Sequence, residues 1–422
     1  MAMPHTRLDP YERLYARRTG TLRSSAMRDL MAVTARPEVI SLAGGLPDTR
    51  AFPVDLLQEL TEGVVAESGA RALQYGPTEG IDELRHALAA LMAEGGTEAG
   101  PGELIVTTGG QQAIDLLCRV MLDAGDPILA EGPTYPGAVP SFSACGAEVH
   151  QVPMDADGIR LDRLAEAHER LLAEGRPPKF LYVIPTFQNP AGATLSLERR
   201  RALVAYAQER DLLLVEDDPY GQLRFEGEPL PTLHSLDATG RVIYLGTLSK
   251  IFSPGVRVGW IHAPHPILYR VNLVKQANDL CTSTFAQLLA LAFLQHERRN
   301  EVIQRLNRAY RSRRDAMVEA LHEFLPDATF TTPAGGLFLW ATLADGLDTT
   351  DLLAAALDRN VAFVPGVAAY LDGVTGSSSM RLNFSACDEE RIAEGVRRIG
   401  DVARERAALA RALGPRSRRT AQ

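Results

Sequence analysis

The sequence contains very little lysine. Of its 44 basic residues, only Lys179, Lys250 and Lys275 are lysines, and the others are arginines. A codon usage that favours arginine wherever a surface charge is sufficient explains this scarcity. Any reaction that needs a primary amine is nevertheless restricted to three positions, because a guanidinium does not replace an amine in such chemistry.

Cysteine and long apolar runs are scarce as well. The four cysteines lie far apart and form no CxxC pair, which excludes a disulfide framework or zinc knuckle and favours a reducing cytoplasm. There is no run of about 18 apolar residues and no apolar stretch after the first charges, so we expect neither a membrane span nor a secretion signal. A net charge of −9 offers no attraction to nucleic acid or to an anionic membrane.

Several common enzyme motifs are missing. The sequence has no GxGxxG after a strand, no GxxxxGK[ST], no HExxH and no GxSxG, which removes the best support for a dinucleotide oxidoreductase, a P-loop ATPase, a zinc protease or an α/β-hydrolase. His262 and His265 flank a proline, and another proline follows His265. This pattern is more typical of a surface loop than of a metal site, so we predict no bound metal.

The order of apolar segments predicts an α/β protein. From about Ile105 to Ala263, short strands such as 128–130, 180–184 and 242–245 alternate with helical stretches, which is typical of a mostly parallel sheet covered on both faces. A long helical region follows, and the last third mixes strands and helices as in a small α+β domain. We predict an arm at 1–40, a large domain at 41–295 and a small domain at 296–422.

Lys250 lies in a segment unlike those of the other two lysines. A strand ends in Thr247 and Ser249, the lysine follows, and Arg257 comes after a Pro-Gly turn. Hydroxyl groups and a guanidinium are suitable partners for a phosphate. Neighbouring cations should also lower the lysine pKa, which favours Schiff-base chemistry. Lys179 and Lys275 have no such surroundings.

Three further segments end apolar strands with polar groups. Asp217 and Asp218 follow one strand, where a buried carboxylate needs a cation such as the protonated ring nitrogen of a pyridine cofactor; either residue could instead cap a helix. The glycines of 107–113 lead from a strand into a helix, whose first N–H groups suit a phosphate. Asn189 ends another strand and could hold a ring substituent.

Together these segments resemble the fold-type I enzymes of the aspartate aminotransferase superfamily, which depend on pyridoxal 5'-phosphate (PLP), and most of all the branch of the 2-aminoadipate and kynurenine aminotransferases. The similar segments keep the family's order: Leu42–Pro47, Leu73–Gly80, Thr108–Gln112, Glu131–Tyr135, Asn189–Gly192, Glu216–Tyr220, Ser249–Lys250 with Arg257, and Arg381–Ser385. The resemblance implies a large domain with a mostly parallel seven-stranded sheet flanked by helices, plus a smaller α+β domain.

The resemblance also implies a role for individual residues. Lys250, Asp217 and Tyr220 would be catalytic; Asp217 is chosen over Asp218 because Tyr220 follows it by three positions, as in the family. The implied cofactor-binding residues are Lys250, Gly110, Gln111, Tyr135, Asn189, Asp217, Tyr220, Thr247, Ser249, Arg257 and Tyr75. Arg381 would bind the substrate α-carboxylate, with Asn189 and Gly45 beside it. Tyr75 would reach the phosphate of a neighbouring subunit, which implies a homodimer.

The function implied is transfer of an amino group between an L-amino acid and a 2-oxo acid. Two alternatives remain open at this point. The same scaffold also supports elimination, decarboxylation and carbon–carbon bond formation with PLP. A ligand-sensing protein on a transaminase scaffold is the other alternative; we expect it less, because only a short arm precedes the similar region.

Overall fold

The structure is a computed structural model that describes residue 9 and residues 11–21, 36–344 and 346–413. The predicted arm, residues 1–40, lies largely outside the described residues, because residues 1–8, 10 and 22–35 do. All four cysteines lie in the described ranges, and each is a free thiol.

The strands are short, as expected for segments buried within an α/β domain. They are β1 Ile40–Ser41, β2 Leu104–Thr107, β3 Pro127–Gly132, β4 Glu148–Asp155, β5 Gly158–Ile159, β6 Leu181–Val183, β7 Leu214–Asp218, β8 Val242–Thr247, β9 Gly259–His262, β10 Thr329–Phe330, β11 Phe338–Thr342, β12 Val361–Ala362, β13 Val364–Pro365 and β14 Ser379–Asn383.

The α-helices alternate with these strands through the first part of the chain, and the two longest follow β9. They are α1 Val54–Ala72, α2 Asp82–Glu94, α3 Gly110–Met121, α4 Val139–Ala144, α5 Leu161–Ala173, α6 Leu197–Glu209, α7 Leu233–Leu236, α8 His265–Asn278, α9 Thr284–Gln295, α10 Arg299–Phe324, α11 Thr349–Leu357 and α12 Glu389–Leu413. In the described ranges, no helix combines the length and the apolar character that crossing a membrane requires.

The large sheet has the order β2-β9-β8-β7-β6-β3-β4-β5. The neighbours from β8 to β4 pair in parallel, whereas β9 runs antiparallel to both β2 and β8. Every residue of β2, β3 and β6 is buried, because helices cover both faces of the sheet. The predicted mostly parallel sheet is confirmed, and the two-residue β5 adds an antiparallel edge to the seven expected strands.

A second sheet has the order β10-β11-β14-β13 and is antiparallel throughout. The segment after β1 runs close to it, because β1 pairs with β12 and the Asn383 N–H donates to the Leu42 carbonyl over 2.8 Å. This contact carries Gly45 towards Arg381 on β14. Along the chain, all strands of the eight-stranded sheet precede residue 295 and all strands of the four-stranded sheet follow it. The domain limits themselves stay a prediction.

Candidate active site

A cavity of about 580 Å³ opens where the parallel strands of the large sheet end, which is where α/β proteins place their ligand sites. It brings together all the predicted site residues except Tyr75. Those that line it are Gly45, Gly110, Gln111, Tyr135, Asn189, Asp217, Tyr220, Thr247, Ser249, Lys250, Arg257 and Arg381. Residues separated by more than three hundred positions along the chain therefore face one space.

Lys250 follows the end of β8 and extends into this cavity. Its Nζ donates a 2.9 Å hydrogen bond to the Gly45 carbonyl. Burial lowers the pKa of Lys250 to about 8; the positive charges of Arg381 and Arg257 act in the same direction, and Asp217 opposes them. The amine consequently gives up its proton more readily than an ordinary lysine, which is what a nucleophilic or basic amine requires.

Asp217 lies on β7 with only 7% of its surface exposed. Its Oδ2 accepts a 2.5 Å hydrogen bond from the Tyr182 hydroxyl on β6. Burial raises the pKa of Asp217 to about 7, while the Tyr182 hydrogen bond and the charge of Lys250 act to lower it. A cationic ligand atom placed beside this carboxylate would favour the ionised form.

Arg381 on β14 closes the opposite side of the cavity and is fixed by several contacts. Its guanidinium donates to the Asn189 Oδ1 over 3.0 Å and to the Ala43 carbonyl over 2.7 Å. It also stacks over the Phe338 ring, 4.4 Å from the centroid, and burial lowers its pKa to about 10. The Asn189 amide in turn donates to the Tyr220 hydroxyl over 3.4 Å. The planar cation is thus held in one orientation.

The start of α3 and the end of β8 form a cluster of donors. Helix α3 begins at Gly110, so its first N–H groups, which lack partners within the helix, point out of its N-terminus. The Thr247 hydroxyl donates to the Ser249 Oγ over 2.9 Å, and the Ser249 N–H donates to the Thr247 Oγ1 over 3.1 Å. A Cβ at Gly110 would lie 3.9 Å from that of Thr247, so the two groups of donors are adjacent.

Arg257 adds a positive charge to this cluster. It adopts the left-handed backbone conformation with φ 56°, and its Nη2 donates to the Thr108 carbonyl over 3.2 Å. Gly109, with φ 79°, lies directly against the guanidinium, since a Cβ there would lie 2.4 Å from Nη2. Backbone N–H groups, hydroxyls and a guanidinium therefore converge on one region, which is the donor set that a phosphate needs.

The remaining predicted residues occupy different surroundings. Tyr135 follows β3 and is partly buried, and burial raises its pKa. The Gln111 amide donates to Ser141 over 3.0 Å, and a Cβ at Gly45 would contact the Phe338 ring at 3.4 Å. Tyr75 is 78% exposed and does not line the cavity of its own chain.

Comparison with known proteins agrees with this geometry. Residues 37–399 match the family described as aminotransferase class I and II. The chain belongs to this family.

Several aminotransferases are similar to it over nearly their whole length. Aromatic-amino-acid aminotransferase 1 of Thermococcus litoralis is 42% identical, over 94% of this chain and 95% of the relative. The 2-aminoadipate transaminase of Thermus thermophilus is 40% identical, over 92% of this chain and 95% of the relative. The crystal structure of the Pyrococcus horikoshii kynurenine aminotransferase, in complex with PMP, is 38% identical with a TM-score of 0.90, over 94% and 98% of the two chains.

These findings confirm the predicted family, fold type and enzyme class. Relatives of this identity are named aminotransferases, which supports transamination over the other PLP reactions and over a sensing protein. The cofactor expected from the sequence, PLP, is likewise confirmed for this aminotransferase by its family and by the PMP complex of the neighbouring structure.

The candidate site also contains residues that the sequence did not indicate. Tyr182 was predicted only as part of a strand, yet its hydroxyl contacts Asp217. Glu131 is 1% exposed and accepts hydrogen bonds from the Ile184 N–H over 3.0 Å and from the Gln188 amide over 3.2 Å, which anchors the start of the loop that carries Asn189. The signal for Glu131 was its place in the Glu131–Tyr135 segment; for Tyr182 there was none.

Proposed function

We propose that this aminotransferase transfers the amino group of an L-amino acid with an aromatic or large apolar side chain to a 2-oxo acid, with Lys250 as the proton carrier. The observation that carries the proposal is the convergence of Lys250, Asp217, Arg257 and Arg381 on one cavity. An amine, an acid and two separate anion-binding cations are the groups that PLP and an amino acid require.

The residues of the cavity fit PLP by the chemistry of their donors. The first turn of α3, Thr247, Ser249 and Arg257 would hold the phosphate, since they offer N–H, O–H and guanidinium donors. Lys250 would bond to the aldehyde carbon. Asp217 would hold a proton on the ring nitrogen, and the Tyr220 hydroxyl and Asn189 amide would contact the ring oxygen.

PLP, when bound, draws electrons from the substrate Cα, so that its hydrogen becomes acidic. Lys250 would remove this proton with its Nζ and return it to the carbonyl-derived carbon of the cofactor, since a free amine with a pKa near neutrality is an effective proton carrier. The lowered pKa of Lys250, about 8, meets that requirement. Asp217, as an anion, would stabilise the positive charge of the ring nitrogen during this transfer.

Arg381 would orient the substrate. Two of its nitrogens already contact Asn189 and Ala43, so the guanidinium is held in place before a carboxylate arrives. A bidentate pair between Arg381 and the α-carboxylate would place Cα at a fixed distance from Lys250. Asp217, the aspartate among the residues that line the cavity, would not compete for Arg381, because its carboxylate is hydrogen-bonded to Tyr182.

The substrate class follows from the remaining walls of the cavity. These are apolar and include Leu46, Ile114, Pro136, Pro140 and Ile184. Such walls favour the burial of an apolar side chain by about 25 cal/mol per Å². The named substrates of two relatives, an aromatic amino acid and kynurenine, support this choice, whereas that of a third, 2-aminoadipate, has an acidic side chain.

The test is a half-reaction without an acceptor. The PLP enzyme is mixed with L-phenylalanine, L-kynurenine, L-2-aminoadipate or L-aspartate, and conversion of the cofactor to PMP is followed by its absorbance. We expect the two aromatic substrates to react with kcat/KM at least about tenfold higher than aspartate. Preference for aspartate or 2-aminoadipate would contradict the substrate class, and formation of a product other than the oxo acid would contradict transamination.

We further propose a homodimer in which Tyr75 completes the site of the partner subunit. The loop of Tyr75 is held in place, since the Thr284 hydroxyl donates to the Gln74 carbonyl over 2.8 Å, yet the side chain is 78% exposed. An anchored loop with an exposed phenol and no access to its own cavity supports a role across an interface.

Subunit mixing tests this arrangement. Tyr75→Ala and Lys250→Ala subunits are each weakened alone; in a mixed dimer, one site would contain both intact residues. Mixing should therefore restore activity to about a quarter of the wild-type value, since about half of randomly mixed dimers are hybrids with one good site. No gain over the separate variants, with mixing verified, would contradict the shared site.

We also propose a cytoplasmic location, which the four free thiols support.

A further inference from the structure

Lys275 on α8 is the most buried of the three lysines, with 0% of its surface exposed. Its Nζ donates to Asp279 Oδ1 over 2.7 Å, to Asp279 Oδ2 over 3.0 Å and to the Thr282 hydroxyl over 3.2 Å. A buried ammonium is expensive to desolvate unless its charge and its hydrogen bonds are both satisfied. Here three acceptors satisfy it, so Lys275 is not the ordinary helical lysine that its sequence context suggested.

Asp279 uses the same carboxylate to contact a distant part of the chain. Its Oδ2 also accepts hydrogen bonds from the Thr108 hydroxyl over 3.0 Å and from the Gln112 amide over 2.7 Å. Thr108 belongs to the turn that joins β2 to α3, and Gln112 lies in the first turn of α3. The ion pair of the buried Lys275 is therefore connected directly to the glycine turn at the start of α3.

The connected turn is closed by further hydrogen bonds. The Thr108 N–H donates to the Gln112 Oε1 over 2.7 Å, and the Gly109 N–H donates to the Thr107 carbonyl over 2.8 Å. On the other side, Arg257 donates to the Thr108 carbonyl over 3.2 Å. Thr108 is thus held at two different atoms: its hydroxyl donates to Asp279, and its carbonyl accepts from Arg257 on the cavity side.

We propose that Lys275 and Asp279 are positioning residues that hold the 107–112 turn in the geometry that binds the cofactor phosphate, an inference that rests on the proposed function. The contacts distinguish this role from simple core packing. A carboxylate that served only to neutralise Lys275 would not need to accept hydrogen bonds from the side chains of Thr108 and Gln112, which lie on either side of the two glycines.

The ion pair also explains why a flexible glycine turn can be ordered before the ligand binds. Gly109 and Gly110 have no side chains to restrict them, and ordering such residues costs more backbone entropy than ordering others. Contacts from Asp279 to the flanking Thr108 and Gln112 meet this cost in the folded protein, so less remains to be met on binding. The phosphate should therefore gain affinity from Lys275 and Asp279 without touching either.

The experiment compares two ligands that differ only in the phosphate. Dissociation constants of PLP and of pyridoxal are measured on the apoprotein by the change in tryptophan fluorescence, for the wild type, Lys275→Met and Thr108→Val. Lys179→Met is the matched control, because Lys179 forms a 3.3 Å ion pair with Asp126 but is 41% exposed. Thr108→Val removes one hydroxyl at nearly constant shape and leaves the Lys275–Asp279 ion pair in place.

We expect both Lys275→Met and Thr108→Val to weaken PLP binding by about tenfold or more, the size of a charge-assisted hydrogen bond, and pyridoxal binding by less than about twofold. Lys179→Met should match the wild type. Equal losses for PLP and pyridoxal, together with equal falls in the Tm of the apo and holo forms, would overturn the proposal and indicate general packing.

This experiment distinguishes a failure of the proposed phosphate site from a failure of the positioning role of Lys275 and Asp279. A wild-type apoprotein that binds PLP no more tightly than pyridoxal would contradict the phosphate site itself, and with it the proposed function. A wild type that prefers PLP, with Thr108→Val keeping the full preference, would contradict only the positioning role. If Lys275→Met fails to fold, Thr108→Val still decides the question.

Discussion

Asp217 and Asp218 are consecutive residues of β7 whose carboxylates lie on opposite faces of the large sheet. Asp217 accepts its hydrogen bond from Tyr182 and lines the cavity of Lys250. Asp218 accepts a 3.1 Å hydrogen bond from Tyr244 and lines a separate cavity of about 530 Å³. The alternation of side chains along a strand produces this separation. Only one of the two acids can therefore reach a ligand bound beside Lys250.

This separation predicts different effects for two equivalent substitutions. Asp217→Asn should lower kcat/KM by about a hundredfold or more, because an amide cannot stabilise the charge on the cofactor ring nitrogen and a broken buried charge pair costs ~3 kcal/mol. Asp218→Asn should change it by less than about threefold. Steady-state kinetics with one good substrate decides the matter, and a larger loss in Asp218→Asn would reverse the assignment.

If Lys250 forms the covalent link to the cofactor, replacing it should abolish that link completely. Lys250→Ala should reduce kcat by about 10³-fold or more, since both the covalent bond and the proton carrier are lost. Borohydride treatment followed by mass spectrometry of peptides should label wild-type Lys250 and nothing in the variant. Lys179→Ala is the control and should be labelled like the wild type. A label on Lys179 or Lys275 would show that the wrong lysine had been chosen.

Substitution of Arg381 should change KM rather than kcat. Arg381→Lys keeps the positive charge but cannot form a bidentate pair, and loses the contacts to Asn189 and Ala43. We expect KM for the amino acid to rise about thirtyfold with kcat within about fivefold, the size of one lost charge-assisted hydrogen bond. Arg397→Lys, whose ion pair with Glu394 lies on the part-exposed face of α12, is the control. A fall in kcat alone would argue against a carboxylate contact.

The fold and the surroundings of Lys250 could be predicted from local patterns in the sequence, whereas Gly45, Tyr135 and Arg381 were implied only by the resemblance to the family. Short apolar runs marked β2, β3, β6, β7, β8 and β9, and small or polar residues followed several of them. The local pattern did not mark strand β4, since Glu148–Asp155 mixes charged and apolar residues and only Val152 in it is buried. It lies next to the edge strand β5, where the apolar pattern of a buried strand is not required.

Contacts between distant residues were beyond prediction. The Tyr182–Asp217 hydrogen bond depends on the register of β6 against β7, in which Tyr182 lies opposite Val215. The contact of Thr108 with Asp279 joins residues 171 positions apart. Lys275 has its partners nearby in the sequence, at Asp279 and Thr282, but its own segment does not show that Asp279 also contacts the start of α3. Tyr75 differs again, because its predicted partner would belong to another copy of the chain.

Removal of the Tyr182 hydroxyl should shift the pH profile of kcat/KM. Its hydroxyl donates to Asp217 and thereby lowers the pKa of that buried carboxyl. Tyr182→Phe removes the donor, so the pKa of Asp217 should rise further and a higher pH should be needed to ionise it. We expect the acid limb of kcat/KM to move to higher pH by about one unit and kcat at neutral pH to fall by about tenfold. Tyr206→Phe, remote from the cavity and bonded to His168, should leave the profile unchanged.

The raised pKa of Glu131 predicts that the free energy of unfolding depends on pH. Burial raises the pKa of Glu131 to about 8 in the folded protein, against 4.5 for an ordinary glutamate. The folded protein therefore keeps Glu131 protonated at a pH where the unfolded chain ionises it. The stabilisation that this provides is complete below the ordinary pKa and is lost as the pH rises towards about 8, with a limiting slope of about 1.4 kcal/mol per pH unit.

Glu131→Gln replaces this acid with a neutral side chain of the same shape, which can still accept from the Ile184 N–H. The free energy of unfolding of the apoprotein, from urea titrations, should therefore fall less steeply between about pH 5 and about pH 8 in Glu131→Gln than in the wild type, by a few kcal/mol in total. Glu216 and Asp217 have raised pKa values as well, but they are present in both proteins and cancel in the difference. Glu98→Gln, at an exposed position, should follow the wild-type curve. Parallel curves for Glu131→Gln and the wild type would mean that Glu131 is ionised in the folded protein, and its contacts with Ile184 and Gln188 would then be those of an anion.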